Sequence, residues 1–301
     1  MTANFAIDQH AVATFVNNAT MGEVTAGGTY DYGTQITLTA TPAAHYHFVN
    51  WSNGSTQNPL TFTVDRDSTL TANFAIDQHT VTVISDDVNL GSVTGSGVYD
   101  YGTPVAITAT PAGYYVSFTG WSNGVMTPAA TINLTGDTTV IGFFELNDYT
   151  ISLNTNNDDM GSVSGAGVYT YGNVATITAT PAYCHHFVNW SDGDTHATRA
   201  ITVVNDLTLT ANFAIDEYTI SVSVNNAAAG KAYCNNSGAE AASMNVDCGT
   251  VVEIHAEAET YYHFVEWSDG SEDAIRNIDV TSDTDLVAIF EPNCGDGAEL
   301  P

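Results

Sequence analysis

Basic side chains are almost absent from this sequence. Of its 301 residues only 4 are lysine or arginine, against 34 aspartates and glutamates, and the formal net charge at pH 7 is −30. Such a charge repels phosphate backbones and anionic membrane surfaces. The composition therefore excludes nucleic acid as a partner.

Long apolar runs and helical patterns are missing as well. No stretch is apolar over enough residues to cross a membrane, so we expect no membrane insertion in this segment. No window of about a dozen residues places its apolar side chains at helical spacing, whereas Thr, Asn, Gly, Val and Tyr, which suit strands and turns, abound. The sequence predicts an all-β or nearly all-β fold.

A motif of seven residues organises the chain. It is first met as FVNWSNG at residues 48–54, and versions of it return at 118–124, 187–193 and 264–270. All four tryptophans lie in this motif, at spacings of 70, 69 and 77 residues. A period of this length indicates one small unit present in four tandem copies.

The closing phenylalanine of each copy serves as a boundary. On this basis we predict repeats at 6–74, 75–144, 145–213 and 214–290, the last with an insertion, followed by a C-terminal tail at 291–301. Residues 1–5 (MTANF) match the closing segment TANF at 71–74, and we predict that they are the end strand of a preceding repeat. We therefore expect the chain to begin inside a longer protein.

Within each copy the predicted strands alternate apolar and polar side chains. Val105, Ile107 and Ala109 form the inward set of one strand, and the other copies keep this period of two. The glycine-rich segment 95–102 is predicted to form a hairpin, as are the Asn-Gly and Asp-Gly turns that follow the tryptophans. The links between copies, such as residues 75–79, contain neither proline nor glycine, so we expect stiff connections and an extended rod of modules.

The copies share an ordered set of motifs. In sequence they are Tyr-x-Tyr-Gly-Thr, an alternating strand, Ala-Thr-Pro-Ala, Phe-Val-Asn-Trp-Ser-Asn-Gly and Thr-Leu-Thr-Ala-Asn-Phe, with the fourth copy departing most. This pattern resembles the divergent internalin-type B repeat of bacterial surface proteins, over residues 6–290. The resemblance implies compact β-grasp-like or β-sandwich modules in a secreted or cell-surface protein, used as stalk or adhesive repeats and not as catalysts.

The tryptophans have two interpretations. Exposed tryptophans can stack on sugars, but one per module, close to a phenylalanine and to a turn, is typical of a core anchor. We therefore predict that one set of eight aromatic residues is structural core: Trp51, Trp121, Trp190, Trp267, Phe48, Phe118, Phe187 and Phe264.

Few residues are candidates for binding metal. Four close pairs of carboxylates offer the oxygen ligands that calcium prefers: Asp65 with Asp67, Asp86 with Asp87, Asp158 with Asp159, and Asp283 with Asp285. No EF-hand or nonapeptide calcium pattern surrounds them, so we favour solvated turn carboxylates, expect no cofactor, and keep calcium as the alternative. The pairs His45 with His47 and Cys184 with His186 bring no third zinc ligand nearby, and no arrangement of polar residues predicts an enzyme.

The four cysteines allow three pairings. Cys234 and Cys248 flank an insertion of eight residues in the fourth copy, and Cys248 stands where the other copies have a tyrosine, as at Tyr101. We predict a disulfide between Cys234 and Cys248 across the enlarged hairpin. Cys184 and Cys294 have no evident disulfide partner.

These observations favour an extracellular or cell-surface repeat array that acts as a stalk, a spacer or an adhesive segment. Its expected partners are neighbouring modules, other copies of itself, or a host or environmental glycan or protein. Two alternatives stay open. One is a subunit of a self-assembling extracellular fibre, in which residues 1–5 add a strand to another copy; the other is a carbohydrate-binding accessory region of a secreted enzyme.

Overall fold

The computed structural model describes residues 1–236 and 239–293. The regular elements in those two ranges are all β-strands, here numbered β1 to β30, so the predicted all-β fold is confirmed. No helix in the described part is long and apolar enough to cross a membrane. The chain forms two compact units, Met1–Asn147 and Asp148–Pro301, and each unit holds two repeats.

Repeat 1 opens the first unit. Its strands are β1 (Gln9–Val16), β2 (Gly22–Val24), β3 (Gly28–Asp31), β4 (Gln35–Leu38), β5 (Ala40–Pro42), β6 (Tyr46–Trp51), β7 (Leu60–Thr63) and β8 (Ser68–Ile76). One sheet has the order β3-β1-β8-β6, while β2 pairs with β5 and β4 with β7.

Repeat 2 completes the first unit with the same plan. Its strands are β9 (Gln78–Ser85), β10 (Gly91–Thr94), β11 (Gly97–Asp100), β12 (Pro104–Pro111), β13 (Val116–Trp121), β14 (Ala129–Asn133) and β15 (Thr138–Leu146). They form a sheet of order β11-β9-β15-β13 and a second of order β10-β12-β14.

Repeats 3 and 4 form the second unit. Repeat 3 has β16 (Asp148–Thr155), β17 (Gly161–Ser164), β18 (Gly167–Thr170), β19 (Val174–Pro181), β20 (His185–Trp190), β21 (Thr198–Thr202) and β22 (Leu207–Ile215). Repeat 4 has β23 (Glu217–Val224), β24 (Gly230–Asn236), β25 (Ala239–Ala241), β26 (Ser243–Asp247), β27 (Thr250–Ala258), β28 (Tyr262–Trp267), β29 (Ile275–Val280) and β30 (Thr284–Pro292). The sheet orders are β18-β16-β22-β20 and β17-β19-β21, then β26-β23-β30-β28 and β25-β24-β27-β29.

The core of each repeat lies between the sheet that holds its first and last strands and its remaining strands. On β12 the predicted inward set, Val105, Ile107 and Ala109, is buried, and the residues that alternate with it are exposed. These side chains meet Val81 and Val140 of the other sheet in one apolar cluster. Each repeat has a cluster of its own, so the chain is a tandem set of four small β modules.

The first and last strands of every repeat are parallel neighbours. The pairs are β1 with β8, β9 with β15, β16 with β22, and β23 with β30. Between these two strands the chain also builds the second sheet, so consecutive strands often belong to different sheets.

The predicted hairpins are wrong for this reason. The strand within residues 95–102 is β11, which pairs with β9 and not with the preceding β10. Likewise β13, which precedes the Asn-Gly turn, pairs with β15, while β14 pairs with β12. Glycine and the Asn-Gly pair mark the turns, but they do not show which sheet the next strand joins.

The predicted repeat boundaries fall inside strands. The closing strand β8 continues two residues beyond Phe74, and β15, β22 and β30 continue equally far beyond Phe144, Phe213 and Phe290. Residues 1–8 carry no strand, whereas the matching segment in β8 pairs with β1 and β6. Of the predicted tail at 291–301, residues 291 and 292 belong to β30, and Cys294 and the residues after it lie outside the described residues.

Candidate functional site: repeat cores, turns and junctions

The motif tryptophan is the centre of each core. Trp51 is 0% exposed, and its indole Nε1–H donates to the carbonyl of Gln57 at 2.8 Å. Trp121, Trp190 and Trp267 make the same bond to Thr127, His196 and Asp273. Because the ring is enclosed and its polar atom has a partner, this residue anchors the fold and presents no face to a sugar.

The motif phenylalanines lie partly buried beside these tryptophans. The ring of Phe48 is 5.5 Å from that of Trp51 and 6.1 Å from that of Phe74, in tilted and edge-on contacts. Phe118, Phe187 and Phe264 repeat both contacts. The closing phenylalanine is the more deeply buried of the two in each repeat.

A glycine makes room for the closing phenylalanine. A Cβ built on Gly91 would stand 2.3 Å from Cε1 of Phe144, which is closer than two carbon atoms can approach without displacement. Gly22, Gly161 and Gly230 have the same relationship to Phe74, Phe213 and Phe290. The repeated glycine therefore serves packing as well as the turn that the sequence predicts.

An arginine joins the turn after the tryptophan in repeats 3 and 4. Arg199 Nη2 donates to Asp192 at 2.5 Å, Nη1 donates to Asp194 at 2.8 Å, and the guanidinium carbon lies 5.9 Å from the centre of the Trp190 ring. Hydrogen bonding to Arg199 lowers the pKa of Asp192. The pKa of Asp194 is lowered most by a hydrogen bond from the backbone N–H of His196 and next by the hydrogen bond from Arg199. Sequence reasoning missed this pair, although arginine stands seven residues after aspartate in both repeats.

One aspartate per repeat fixes the start of the first strand. Asp67 Oδ1 accepts the N–H of Ala11 at 2.8 Å. Asp137, Asp206 and Asp283 accept from Thr80, Thr150 and Thr219 in the same way. These carboxylates thus join the last turn of a repeat to its first strand.

The calcium candidates do not come together. Asp65 bonds to Arg66 at 3.0 Å, Asp158 accepts from Thr155, and Asp285 accepts from Ser221. The backbone N–H of Asp159 donates to Asn157 at 2.9 Å. In the described ranges no group of three or more His, Cys, Asp and Glu residues is placed to hold a metal ion. Calcium binding therefore stays a prediction, which a direct binding measurement would test.

The junction inside the first unit is a single residue. β8 ends at Ile76 and β9 begins at Gln78. Between them the N–H of Asp77 donates to the carbonyl of His45 in repeat 1 at 2.9 Å, and its carbonyl accepts the N–H of Tyr101 in repeat 2 at 2.8 Å. The linking residue is therefore bonded to the repeats on both sides of it.

Side chains reinforce this junction. The imidazole of His45 stacks on the ring of Tyr101 with centres 3.6 Å apart and planes 7° from parallel. His47 Nδ1 lies 3.0 Å from the Asp77 carboxylate. The two histidines that the sequence pairs as metal-ligand candidates thus have separate partners at one junction.

The second unit replaces this stack with a covalent bond. Asp216 N–H donates to the carbonyl of Cys184 at 2.9 Å and the Asp216 carbonyl accepts the N–H of Cys248 at 2.8 Å, as at Asp77. Cys184 and Cys248 form a disulfide with their Cα atoms 5.5 Å apart. Cys184 takes the position of His45 and Cys248 that of Tyr101, so the bond joins two consecutive repeats.

The predicted disulfide between Cys234 and Cys248 is wrong. Cys234 is fully buried in the core of repeat 4, and its Sγ lies 3.9 Å from the carbonyl oxygen of Ile220. Cys248 instead lies at the junction with repeat 3. Burial raises the pKa of the Cys234 thiol. Cys248 stands at the position of Tyr101, and Tyr101 contacts His45 of the preceding repeat. Knowledge of that contact would have indicated Cys184, at the His45 position, as the partner of Cys248.

Comparison with known proteins gives one family match. The sequence profile described as the divergent InlB B-repeat domain matches residues 12–78, 80–148, 151–217 and 220–294. No curated protein matches the chain. The four matches follow the four repeats in order.

Solved structures give distant likenesses. The TIE protein of Bacillus anthracis has 11% sequence identity and a TM-score of 0.25; the match covers 95% of this chain, which spans 58% of the length of that protein. Two B repeat units of the collagen-binding protein of Staphylococcus aureus have 11% identity and a TM-score of 0.16, covering 96% of this chain and 100% of theirs. BcpA, the major pilin subunit of Bacillus cereus, has 7% identity and a TM-score of 0.18, covering 95% and 99%.

Proposed function

Because the chain belongs to the divergent InlB B-repeat family, with four tandem matches, we propose that it is a non-catalytic spacer segment of a bacterial extracellular or cell-surface protein. In this proposal the segment holds other parts of that protein at a distance from the surface to which the protein is attached.

The junction geometry is the observation that carries the proposal. A spacer needs connections that resist bending, and short connections without glycine or proline provide them. Asp77 is the sole residue between β8 and β9, and its N–H and C=O are bonded to opposite repeats. Asp216 repeats the arrangement in the second unit, where a disulfide adds a covalent tie.

Two alternatives are less well supported. A carbohydrate-binding accessory region would use exposed aromatic platforms; the four motif tryptophans are buried, so that role would fall to exposed tyrosines such as Tyr114 and Tyr183. A fibre built by strand addition would use residues 1–5, which form no strand in the single chain. Purified protein that assembles into ordered polymers would favour that alternative.

Small-angle scattering on the full chain tests the spacer proposal. A compact module of about 70 residues has a diameter of about 28 Å, so four in line should reach a maximum dimension of at least about 110 Å. A Gly-Ser-Gly-Ser insertion after Asp77 should broaden the distance distribution because it removes the two-sided bonding of that residue. A maximum dimension of about 50 Å, which the same scaling gives for one globule of this length, would contradict the proposal.

A further inference from the structure

An apolar patch lies on the outer face of the β11-β9-β15-β13 sheet of repeat 2. Ile84 on β9 is the register partner of Ile141 on β15. Ile84 is 45% exposed and Phe143 is 39% exposed. Met126 covers Gly120, since a Cβ built on that glycine would stand 2.9 Å from its sulfur, and Gly120 is the register partner of Phe143. Ile84, Met126, Ile141 and Phe143 are called the apolar patch.

Repeats 1 and 3 show that the fold does not require apolar side chains at three of these positions, whereas repeat 4 keeps Val287 and Ile289 at two of them. At the positions of Met126, Ile141 and Phe143, repeat 1 has Thr56, Thr71 and Asn73, and repeat 3 has Thr195, Thr210 and Asn212. Asn73 donates to Asn50 at 2.8 Å where repeat 2 has Phe143 beside Gly120. Side chains that are apolar in repeat 2 but polar at the same positions of repeats 1 and 3 are not needed for the core. An exposed cluster of such side chains marks an interaction surface.

Acidic side chains border the apolar patch at one end. Two residues beyond Ile84 stands Asp86, and two beyond Phe143 stands Glu145, and both are exposed. The Asp86 carboxylate accepts the N–H of Phe144 at 3.2 Å, which holds it beside the patch. A partner that covers this surface therefore meets apolar side chains and negative charge together.

A second copy of this chain does not fit that surface. Each copy carries a net charge of −30. The four basic residues are already engaged by carboxylates: Arg66 by Asp65, Arg199 by Asp192 and Asp194, Arg276 by Asp269, and Lys231 by Glu259. A second copy would add repulsion without an unpaired cation to offset it, and an anionic membrane would be repelled for the same reason.

We propose that the apolar patch is a docking surface for a basic segment of another protein, in which aliphatic or aromatic side chains stand beside lysines or arginines. The apolar side chains would cover Ile84, Ile141, Phe143 and Met126, and the cations would face Asp86 and Glu145. Such complementarity sets which partner binds and how fast it associates. This role goes beyond that of a spacer and does not depend on it.

A peptide titration of the full chain tests the proposal. The probe is a peptide of about ten residues that alternates lysine and leucine, since an extended strand then presents all its leucines on one face. A lysine–serine peptide of equal charge is the comparison. Methyl NMR at about 0.15 M salt, where exposed charges are screened beyond a Debye length, locates binding at individual isoleucine and methionine side chains and gives the Kd.

The key variant carries Met126→Thr, Ile141→Thr and Phe143→Asn, the residues that repeats 1 and 3 use. We expect shifts at the methyl groups of Ile84, Met126 and Ile141, and an affinity about tenfold or more lower in the variant, as for loss of anchors at an interface centre. Val98→Thr is the matched control, because Val98 is 61% exposed on β11 of the same sheet but lies outside the patch. It should leave the Kd unchanged.

Four results would overturn the proposal. They are an unchanged Kd in the triple variant, equally tight binding of the lysine–serine peptide, methyl shifts confined to other repeats, and a dimer of the free chain that the triple variant abolishes. Met126→Thr alone, which changes one exposed side chain in a turn, provides the same comparison if the triple variant does not fold.

Discussion

Arg199 and Asp192 are in contact at 2.5 Å across a loop, and this ion pair replaces an uncharged pair in other copies. Repeat 1 has Asn53 and Leu60 at the two positions, repeat 2 has Asn123 and Ala130, and repeat 4 has Asp269 and Arg276, which are again in contact. The same framework thus accepts an uncharged or an ionic pair at this loop, and the ionic pair makes stability depend on pH.

Arg199→Leu combined with Asp192→Asn should reduce the acid sensitivity of the second unit. The folded-state pKa of Asp192 is lowered by Arg199. The pair therefore stabilises the fold above the unfolded pKa of about 3.9, and this stabilisation is lost as the pH falls through the lowered value. Thermal melts at pH 7 and at about pH 2.5 should show a smaller drop in Tm for the variant than for the wild type.

An exposed ion pair provides the control for that experiment. Arg66→Leu with Asp65→Asn removes a contact whose side chains are 78% and 52% exposed, and such pairs contribute little to stability. An equal drop in Tm on acidification for the Arg199 variant and the wild type would show that the loop ion pair does not set the acid response.

Reduction of the disulfide should loosen the junction of the second unit. The bond joins residues 64 apart, and closing a loop of that length should stabilise the fold by about 4 kcal/mol in the chain-entropy model. Dithiothreitol should therefore lower the denaturant midpoint of the second unit and leave that of the first unchanged. Cys184→Ser should abolish the difference between reduced and oxidised protein.

The equivalence of the two junctions makes a second, converse prediction. His45→Cys with Tyr101→Cys should form a new disulfide in the first unit, because these residues occupy the positions of Cys184 and Cys248. Non-reducing peptide mapping detects the bond, and two free thiols in protein purified under oxidising conditions would count against the equivalence.

Gly91→Ala should destabilise repeat 2 more than Gly102→Ala. A methyl group at Gly91 would collide with the ring of Phe144, whereas Gly102 has a φ of 77° but open space around it. Overpacking of a core typically costs about 1–3 kcal/mol, while alanine at an open site of positive φ costs about 1 kcal/mol. Chemical denaturation of both variants measures the order, and an equal or smaller loss for Gly91→Ala would contradict the packing role of Gly91.

Trp121→Ala should unfold repeat 2. Removing a buried tryptophan costs about 3–5 kcal/mol, which is a large share of the free energy of unfolding that the core of so small a module supplies. Hydrogen exchange should show lost protection in β9 to β15 while the second unit keeps its protection. Unchanged exchange in β12 and β15 would contradict the anchoring role of this residue.

The sequence was sufficient for what depends on local pattern. The spacing of the tryptophans defines the four repeats, and alternation on strands such as β12 identifies the buried set before any partner strand is known. The anchoring of Trp51 also follows from its place in the motif.

Partners far apart in the chain could not be predicted in this way. The sequence predicts that Asp67 is a solvated turn carboxylate, but it accepts the backbone N–H of Ala11, 56 positions away. Cys234 and Cys248 are close in sequence, yet Cys248 bonds to Cys184 of the neighbouring repeat. The parallel pairing of β1 with β8 brings Asp67 near Ala11, and the junction residue Asp216 brings Cys184 near Cys248.

That parallel pairing decides how each repeat would respond to being pulled. In repeat 2 tension enters at the start of β9 and leaves at the end of β15, and these strands run side by side in the same direction. Because the two pulled ends lie at opposite ends of the strand pair, the strands are drawn past each other and the hydrogen bonds between them are loaded in shear, together instead of one after another. The same holds for β1 with β8, β16 with β22, and β23 with β30, so every repeat opposes extension with a whole ladder of bonds at once.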